Sequence, residues 1–361
     1  MMIIKVNFSR SFLLLFIGAI SFSCSKTTTT FSYTETYKGF STQGVPSRAV
    51  SLMADTLVVG GHKGTVSFHL LNEGNLSQLR NQVILGAEDF RDVHCSSDGT
   101  CLFMNSGSRG TIYQMNLEGN VIKVLNADSV FLDGMSFWDD QNGIVYGDPV
   151  NGKFFLSKTE NGGESWISLD TPQLPDAIEN EAGFAASGTG IQTIGDSIIY
   201  FATGLGNKAR IFQSSNRGET WSVKKTPLKS GDGSFGIYSM YFWNEMSGMI
   251  IGGSYLDSTY SDKMCYTTRN GGKSWSKKSR GLPGYCSCIQ GNETGSVLIA
   301  TGRMGTYYTL NKGLSWSMLT SEPFYTCYMT EDYIILSGSK GKLAVYQYKY
   351  TRVITRNIGM R

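Results

Sequence analysis

The chain has 361 residues, of which 43 are glycine and 7 are proline; 12% are aromatic and 17% are charged. Glycine stands well above its usual share of about 7%, and charged residues stand below their usual share of about 25%. Because disordered chains are rich in charge and poor in aromatic residues, intrinsic disorder is excluded, and so are coiled coils and helical bundles. The formal net charge of +3 comes without a basic tract, so no nucleic-acid partner is predicted.

The first 23 residues are predicted to be an export signal. Lys5 and Arg10 precede an apolar run over residues 12–20, and small residues follow it, which is the order found in signal peptides. The position of Cys24 resembles the lipid-attachment site of bacterial lipoproteins, in the looser form of Bacteroidetes, with Ser21 where leucine is usual. We therefore predict lipid attachment at Cys24 and an outer-membrane lipoprotein that faces the periplasm. Simple secretion with cleavage nearby is the alternative.

The other six cysteines fall into two groups. Cys95 and Cys101 flank a short polar segment and could face each other across a hairpin, in a compartment that permits disulfides. The remaining four lack the CxxC spacing of metal ligands, so we predict buried free thiols and no metal site. These four are Cys265, Cys286, Cys288 and Cys327.

Four segments share the pattern [S/T]-x-N-x-G-x-[S/T]-W without a gap: 159–166, 214–221, 268–275 and 309–316. Asparagine followed two residues later by glycine is typical of a tight hairpin turn with one residue at positive φ. The hydroxyl groups can satisfy backbone groups of the turn, and the tryptophan covers the hairpin. The residues expected to build these turns are Asn161 and Trp166, Asn216 and Trp221, Asn270 and Trp275, and Asn311 and Trp316.

A second repeat covers the rest of the chain. Seven short apolar segments end in small residues and glycine, and their closing glycines recur about every 46 residues from Gly61 to Gly338, the length of one four-stranded blade. An alternating strand usually follows, as at 65–70, 111–116 and 342–347. The last repeat has only three strands, and residues 31–38 can supply the fourth. We predict an all-β, seven-bladed β-propeller over residues 31–350, closed by this N-terminal strand, with a polar tether at 24–30 and a tail at 351–361.

The chain resembles two known groups of propellers. The tryptophan motifs resemble the Asp-box, or BNR, repeat of sialidases, with asparagine in place of the usual aspartate. A broader resemblance, to the photosystem II stability/assembly factor-like propellers, rests on residues 47–50, 89–94, 131–154, 181–190 and 236–243. Photosynthetic members of that family resemble assembly chaperones that bind a membrane-protein subunit, so the resemblance implies the fold and a general binding role.

The sequence also contains fragments of catalytic patterns. Gly204–Ala209 spells GxGxxA after an apolar segment, but a strand-like segment follows where a dinucleotide site needs a helix. We therefore predict a hairpin connection and no cofactor. A sialidase would need an arginine triad, a tyrosine nucleophile and acidic partners, and the Arg-Ile-Pro type motif with which those enzymes begin is absent from the sequence. The candidate arginines are Arg48, Arg91, Arg109 and Arg303.

Charged residues of the predicted loops and inner strands cluster at one face of the propeller. The loops between second and third strands contribute cations or carboxylates. These are either ordinary solvated residues, or together they give the channel mouth a positive bias that favours an anionic peptide segment. The inner-strand starts contribute residues that either form ion pairs between blades or bind a ligand, and the aromatic residues there either pack or face the partner. The tentative partner-binding set is Arg48, Arg91, Arg109, Asp133, Asp148, Glu181, Lys208, Tyr238 and Arg303.

These observations predict a non-catalytic, membrane-tethered propeller that binds a protein or peptide partner in the cell envelope as a scaffold or assembly factor. The alternative is a glycan-binding or sialidase-like propeller.

Overall fold

A computed structural model describes residues 25–84, 88–116, 118–169, 172–231, 233–278 and 280–356. The predicted signal segment 1–23 and the predicted lipid-attachment residue Cys24 lie outside the described residues. The chain divides into two compact units: residues 33–348, and a terminal unit that contains residues 25–32 and 349–356. Among the described residues, no helix has the length and apolar character needed to cross a membrane.

The strands form seven four-stranded antiparallel sheets, which are the predicted blades of a β-propeller. The first strand of the chain is β1 (Ser25–Phe40). Blades 1 to 3 then follow in chain order. Their strands are β2 (Ser47–Met53), β3 (Thr56–Gly61), β4 (Thr65–Asn72) and β5 (Asn75–Val83); β6 (Phe90–Cys95), β7 (Cys101–Asn105), β8 (Arg109–Met115) and β9 (Val121–Asp128); and β10 (Leu132–Phe137), β11 (Gly143–Val150), β12 (Lys153–Thr159) and β13 (Ile167–Ser168).

Blades 4 to 6 repeat this order, and blade 7 closes the ring. Their strands are β14 (Ile191–Ile194), β15 (Ile198–Ala202), β16 (Arg210–Ser214) and β17 (Ser222–Lys225); β18 (Gly236–Asn244), β19 (Ser247–Gly253), β20 (Cys265–Thr268) and β21 (Ser276–Lys277); β22 (Cys288–Gly291), β23 (Leu298–Gly302), β24 (Gly305–Thr309) and β25 (Ser317–Thr320); and β26 (Thr326–Met329), β27 (Tyr333–Ser337) and β28 (Lys342–Arg356). A 3-10 turn, Ser339–Gly341, joins β27 to β28.

The N-terminal strand completes blade 7, as predicted. The strand order of that blade is β1-β28-β27-β26, so β1 supplies its outer strand. Each inner strand contacts the inner strand of the next blade, from β2 through β6, β10, β14, β18, β22 and β26 and back to β2. Closure of the ring protects strand edges that an open array would leave exposed. The terminal strands are longer than the predicted propeller, because β1 begins at Ser25 and β28 continues to Arg356, within the predicted tether and tail.

The seven apolar segments of the repeat are the second strands of the blades. These strands are buried on both faces, and all five residues of β15 are buried, because neighbouring blades cover them. This explains why they read as continuous apolar runs without alternation. The core therefore lies between blades, where Tyr146 of blade 3 packs with Phe201 of blade 4, their ring centres 5.0 Å apart. Burying each such aromatic side chain contributes about 1.5–3 kcal/mol.

The four repeated turns connect third strands to fourth strands and share one hydrogen-bond pattern. In blade 4, Asn216 Oδ1 accepts from the Thr220 amide at 2.9 Å, and Ser214 Oγ accepts from the Gly218 amide at 2.9 Å. The prediction of a single residue at positive φ was wrong: Arg217 (54°) and Gly218 (87°), within the seven-residue connection between β16 and β17, are both in the left-handed region. The same pair of angles recurs at Gly162 and Gly163, Gly271 and Gly272, and Lys312 and Gly313.

The cysteines form one disulfide among the described residues. Cys95 and Cys101 face each other across the β6–β7 hairpin and are joined, with their Cα atoms 4.1 Å apart. The other four cysteines are buried free thiols, as predicted. Gly204–Ala209 lies between β15 and β16 and precedes a strand, so the GxGxxA segment is the hairpin connection that the sequence predicts.

Candidate binding site at the channel mouth

A nine-residue segment, 182–190, runs through the centre of the ring immediately before β14. We call it the plug segment because it hydrogen-bonds to blades on different sides of the channel. These bonds run from Arg91 Nη1 to the Ala185 carbonyl (3.0 Å), from Ser187 Oγ to the Ser287 carbonyl (2.9 Å), and from the Met240 amide to the Thr189 carbonyl (3.0 Å). The plug segment thereby ties blades 2, 5 and 6 to one stretch of chain.

The plug segment fits the channel because of its small residues. Gly188 has a φ of +74°, and a Cβ there would lie 2.2 Å from Asp92 Oδ1. Its one large side chain, Phe184, stacks on Tyr238 with the ring centres 3.8 Å apart. A bulkier segment would not pass between the inner strands at this point.

The plug segment lines three cavities. Its first residue, Ala182, borders a cavity of about 830 Å³ whose wall also contains the predicted residues Asp148 and Glu181. The other two cavities have no lining residue in common. The mouth cavity, of about 450 Å³, lies where the inner strands begin and has residues 183–186 in its wall. The lower cavity, of about 220 Å³, has residues 187–189 in its wall. Three arginines and four tyrosines dominate the mouth cavity. They are Arg48, Arg91, Arg303, Tyr238, Tyr255, Tyr285 and Tyr325.

Arg48 and Arg303 have no ion pair with a carboxylate among the described residues, and Arg48 is the half-buried one of the two. Its Cζ lies 3.9 Å from the centre of the Tyr325 ring, and its side chain is half-buried. Burial lowers the pKa of the Arg48 guanidinium, and the neighbouring Arg91 lowers it further. The group nevertheless stays charged at neutral pH. A partly desolvated cation of this kind favours an incoming anion.

The other two arginines of the cavity are engaged by the protein. Arg91 forms a two-point ion pair with Asp89, from Nε at 2.7 Å and from Nη2 at 2.6 Å. Arg303 is exposed and donates from Nη1 to the Tyr255 carbonyl at 2.8 Å. Arg91 therefore serves mainly to hold the plug segment, and Arg48 and Arg303 present their charge to the cavity.

The tyrosines form an aromatic wall. Tyr238 donates its hydroxyl to the Ser234 carbonyl at 2.7 Å and meets Tyr285 edge to face, with the ring centres 4.8 Å apart. Burial raises the pKa of both hydroxyls above the usual range. They remain protonated at neutral pH and offer ring surface and a neutral donor, which suits binding more than nucleophilic attack.

Two predicted carboxylates lie beneath the plug segment. Asp133 is fully buried, and neither of its carboxyl oxygens has a hydrogen-bond partner among the described residues. Burial raises the pKa of Asp133 well above its usual range, and the neighbouring Asp148 raises it further. Burial also raises the pKa of Asp148, which accepts from the Gly183 amide at 3.0 Å. Asp133 and Asp148 are therefore a coupled carboxyl pair against the plug segment, where a Cβ added at Gly183 would lie 2.3 Å from Asp133 Oδ2.

The remaining predicted residues lie outside the mouth cavity. Glu181 is buried and pairs with Arg210, whose Nε donates to Glu181 Oε1 at 2.7 Å. Arg109 pairs with Asp128 at 2.8 Å, with both side chains exposed. Lys208 is exposed in the loop between β15 and β16. Arg91 and Glu181 form ion pairs, but each pair lies within one blade, Arg91 with Asp89 in blade 2 and Glu181 with Arg210 in blade 4. They are not the predicted ion pairs between blades. Arg48, Tyr238 and Arg303 share one cavity.

The sequence reasoning missed Phe131, Phe184 and Tyr255 as lining residues of the mouth cavity. A usable signal was present for Phe184, because it stands alone in a run of small residues, EAGFAASGTG, directly before an inner strand.

His62 lies beside the mouth cavity, with Nδ1 3.6 Å from Oδ1 of Asp89, the partner of Arg91, whereas His69 and His94 are not among its lining residues. His69 Nε2 contacts Ser67 Oγ at 2.9 Å, and His94 stacks on Phe137. Burial lowers the pKa of both imidazoles to about 4, so they are neutral at pH 7. Among the described residues, no group of three or more histidine, cysteine or acidic side chains is placed to hold a metal ion.

No family model and no curated protein sequence matches the chain. Among solved structures, the fold is similar to virginiamycin B lyase from Staphylococcus aureus. A catalytically inactive form with quinupristin has 13% sequence identity and a TM-score of 0.62, and the selenomethionine-substituted protein has 12% identity and a TM-score of 0.61. Each covers 88% of this chain and 99% of the other. At this identity the likeness is one of fold alone, so the photosystem II factor-like and BNR resemblances stay predictions.

Proposed function

We propose that the chain is an exported, membrane-tethered propeller that binds a protein partner in the cell envelope through the mouth cavity, as a non-catalytic scaffold or assembly factor. The observation that carries the proposal is Arg48, a half-buried guanidinium without a carboxylate partner among the described residues, at the edge of an aromatic wall. A carboxylate of the partner would accept two parallel hydrogen bonds from it. The tyrosine rings supply the rigid surface that dominates protein interfaces.

The lining of the cavity favours binding over catalysis. Of the described residues that line it, none is a carboxylic acid, a histidine or a cysteine, the groups that most often transfer protons or attack substrates. The tyrosines have raised pKa values, whereas a nucleophilic tyrosine needs a nearby base. No cofactor or metal enters this proposal.

A capture experiment tests the binding role. Wild-type protein and an Arg48→Gln/Arg303→Gln variant would be used to recover partners from envelope extracts, with quantification by mass spectrometry. The matched control is Arg109→Gln/Lys208→Gln, which also removes two positive charges but outside the cavity. We expect a protein that wild type and the control recover equally and the Arg48→Gln/Arg303→Gln variant recovers at least tenfold less. Equal recovery by all three proteins would contradict binding at this cavity.

The membrane tether needs its own test, because Cys24 lies outside the described residues. Metabolic labelling with palmitate would report lipid attachment. We expect label in wild type and none in Cys24→Ser. If wild-type protein incorporates no palmitate and is recovered as a soluble secreted protein, the result would favour the alternative of simple export.

A glycan-directed function is the second candidate, because the cavity brings Arg48, Arg91 and Arg303 together, and sialidases use three arginines for a substrate carboxylate. A glycan array and a sialoside hydrolysis assay separate the candidates. Binding of acidic glycans that depends on Arg48 would favour a glycan receptor, and turnover would overturn the non-catalytic proposal. Since the structures similar in fold belong to a lyase, turnover assays belong in the same experiment.

A further inference from the structure

Two thiols face each other between blades 6 and 7. Cys288 begins β22 and Cys327 lies in β26, and these inner strands contact each other. Their Sγ atoms are 3.5 Å apart, and both side chains are buried. A disulfide needs an S–S distance of about 2.05 Å, so the sulfurs must approach by about 1.5 Å, which side-chain rotation can provide.

The surroundings of Cys288 suit a thiolate. Its sulfur is the acceptor for the Cys327 amide at 3.4 Å, the Cys327 thiol at 3.5 Å, and the hydroxyls of Thr189 and Thr326 at 3.7 Å each. Burial acts to raise the pKa of Cys288, but the hydrogen bonds from Cys327 outweigh it and the pKa falls to about 6. Burial raises the pKa of Cys327 well above its usual value. As a thiol, Cys288 also donates to the Cys327 carbonyl at 3.6 Å. The two sulfurs therefore share a hydrogen bond, and ionisation is easier at Cys288 than at Cys327.

The lower cavity borders one member of this pair. Cys327 and Thr189 line that cavity, of about 220 Å³. The other two free thiols differ, because Cys265 and Cys286 pack in an apolar cluster between blades 5 and 6. Burial raises the pKa of both. They are therefore matched controls for a buried cysteine without a facing thiolate.

We propose that Cys288 and Cys327 are a redox pair that closes as a disulfide between blades 6 and 7 when the chain meets a disulfide oxidant. With Cys288 ionised, Cys327, which lines the cavity, passes its proton to the Cys288 sulfur that accepts its hydrogen bond. The Cys327 thiolate attacks the oxidant's disulfide, which forms a mixed disulfide and releases one thiolate, and that thiolate takes the proton from Cys288. The Cys288 thiolate then attacks the Cys327 sulfur and releases the second thiolate. The two cysteines lose two electrons, and the oxidant gains them and becomes two thiols.

The disulfide would join the inner strand of the closing blade to its neighbour. A covalent link between these two inner strands, 39 residues apart in the chain, restricts the unfolded chain and raises the melting temperature of the oxidised form. The proposal does not depend on the mouth cavity or on the lipid anchor.

Differential alkylation of wild-type protein tests the proposal. The protein is treated with oxidised glutathione, the remaining thiols are alkylated under denaturing conditions, and each cysteine is measured by peptide mass spectrometry. We expect Cys288 and Cys327 to become protected in parallel and to appear as one cross-linked peptide pair, while Cys265 and Cys286 stay fully alkylated. Full alkylation of all four, or a pairing of Cys286 with Cys288, would overturn the proposal, as would glutathione retained on Cys327.

A second test measures how much oxidation changes the melting temperature, which can be compared between wild type and variants of different starting stability. We expect the melting temperature of wild type to rise on oxidation, and that of Cys265→Ala to rise equally. In Cys288→Ala and Cys327→Ala the rise should vanish even if both variants start from a lower melting temperature. A rise that persists in Cys288→Ala would contradict the proposal.

Discussion

Arg210 donates from Nε to Glu181 Oε1 at 2.7 Å, and the two side chains are 7% and 0% exposed. The pair joins the segment before the plug to β16. Removing one member leaves a buried charge without its partner. We expect Glu181→Ala to lower the free energy of unfolding by about 3–5 kcal/mol, measured by urea titration. Arg109→Ala, which breaks an exposed pair, should cost less than about 1 kcal/mol; equal losses would contradict a structural role for Glu181.

Asp133 predicts a pH dependence of stability. Its pKa is raised in the folded protein, whereas in the unfolded chain it ionises near pH 4. The unfolded state therefore loses this proton first, and the contribution of Asp133 to stability falls as pH rises above about 4. Burial raises the pKa of Asp148 and raises that of Asp92 to about 7, so both act in the same direction. Asp133→Asn removes the Asp133 contribution, so the stability of the variant relative to wild type should grow between pH 5 and pH 8. Parallel pH profiles would show that Asp133 is ionised in the folded protein.

The fit of the plug segment predicts the effect of one methyl group. Gly188→Ala places a Cβ against Asp92 and adds strain at a φ of +74°. Gly152→Ala is the matched control, because its φ is +82° and nothing lies within 4 Å of the new Cβ. The control should cost about 1–2 kcal/mol from backbone strain alone, and Gly188→Ala should cost clearly more. Similar losses in urea titrations of the two variants would mean that the channel has room at Gly188.

The fold could be predicted because a propeller repeats local structure. Each blade pairs strands that are adjacent in the chain, so glycine-terminated apolar runs at second-strand positions recur with a readable period. The role of the N-terminal strand in closing the ring could also be predicted, because the last repeat contains only three strands. The backbone angles of the repeated turn could not be predicted fully from the motif, because the residue before each glycine, such as Arg217, also adopts positive φ.

The site could be predicted only in part, because the channel brings together residues that are far apart in sequence. Ser187 and Ser287 meet across 100 residues, and no periodic signal marks such a contact. The difference between Arg91 and Arg48 was readable. Asp89 stands two residues before Arg91, on the same face of a strand, whereas Pro46 and Val50 flank Arg48 and offer it no carboxylate.

The most direct test of the central claim places a photo-crosslinking amino acid at Tyr255, which lines the mouth cavity and is 40% exposed. The control position is Ile167, 67% exposed on the outer strand of blade 3. Irradiation of cells that make each protein should give a discrete protein adduct from position 255 alone, and Arg48→Gln should reduce that adduct at least tenfold. Adducts of equal yield from both positions, or an adduct at position 255 that Arg48→Gln leaves unchanged, would contradict a partner bound at the channel mouth.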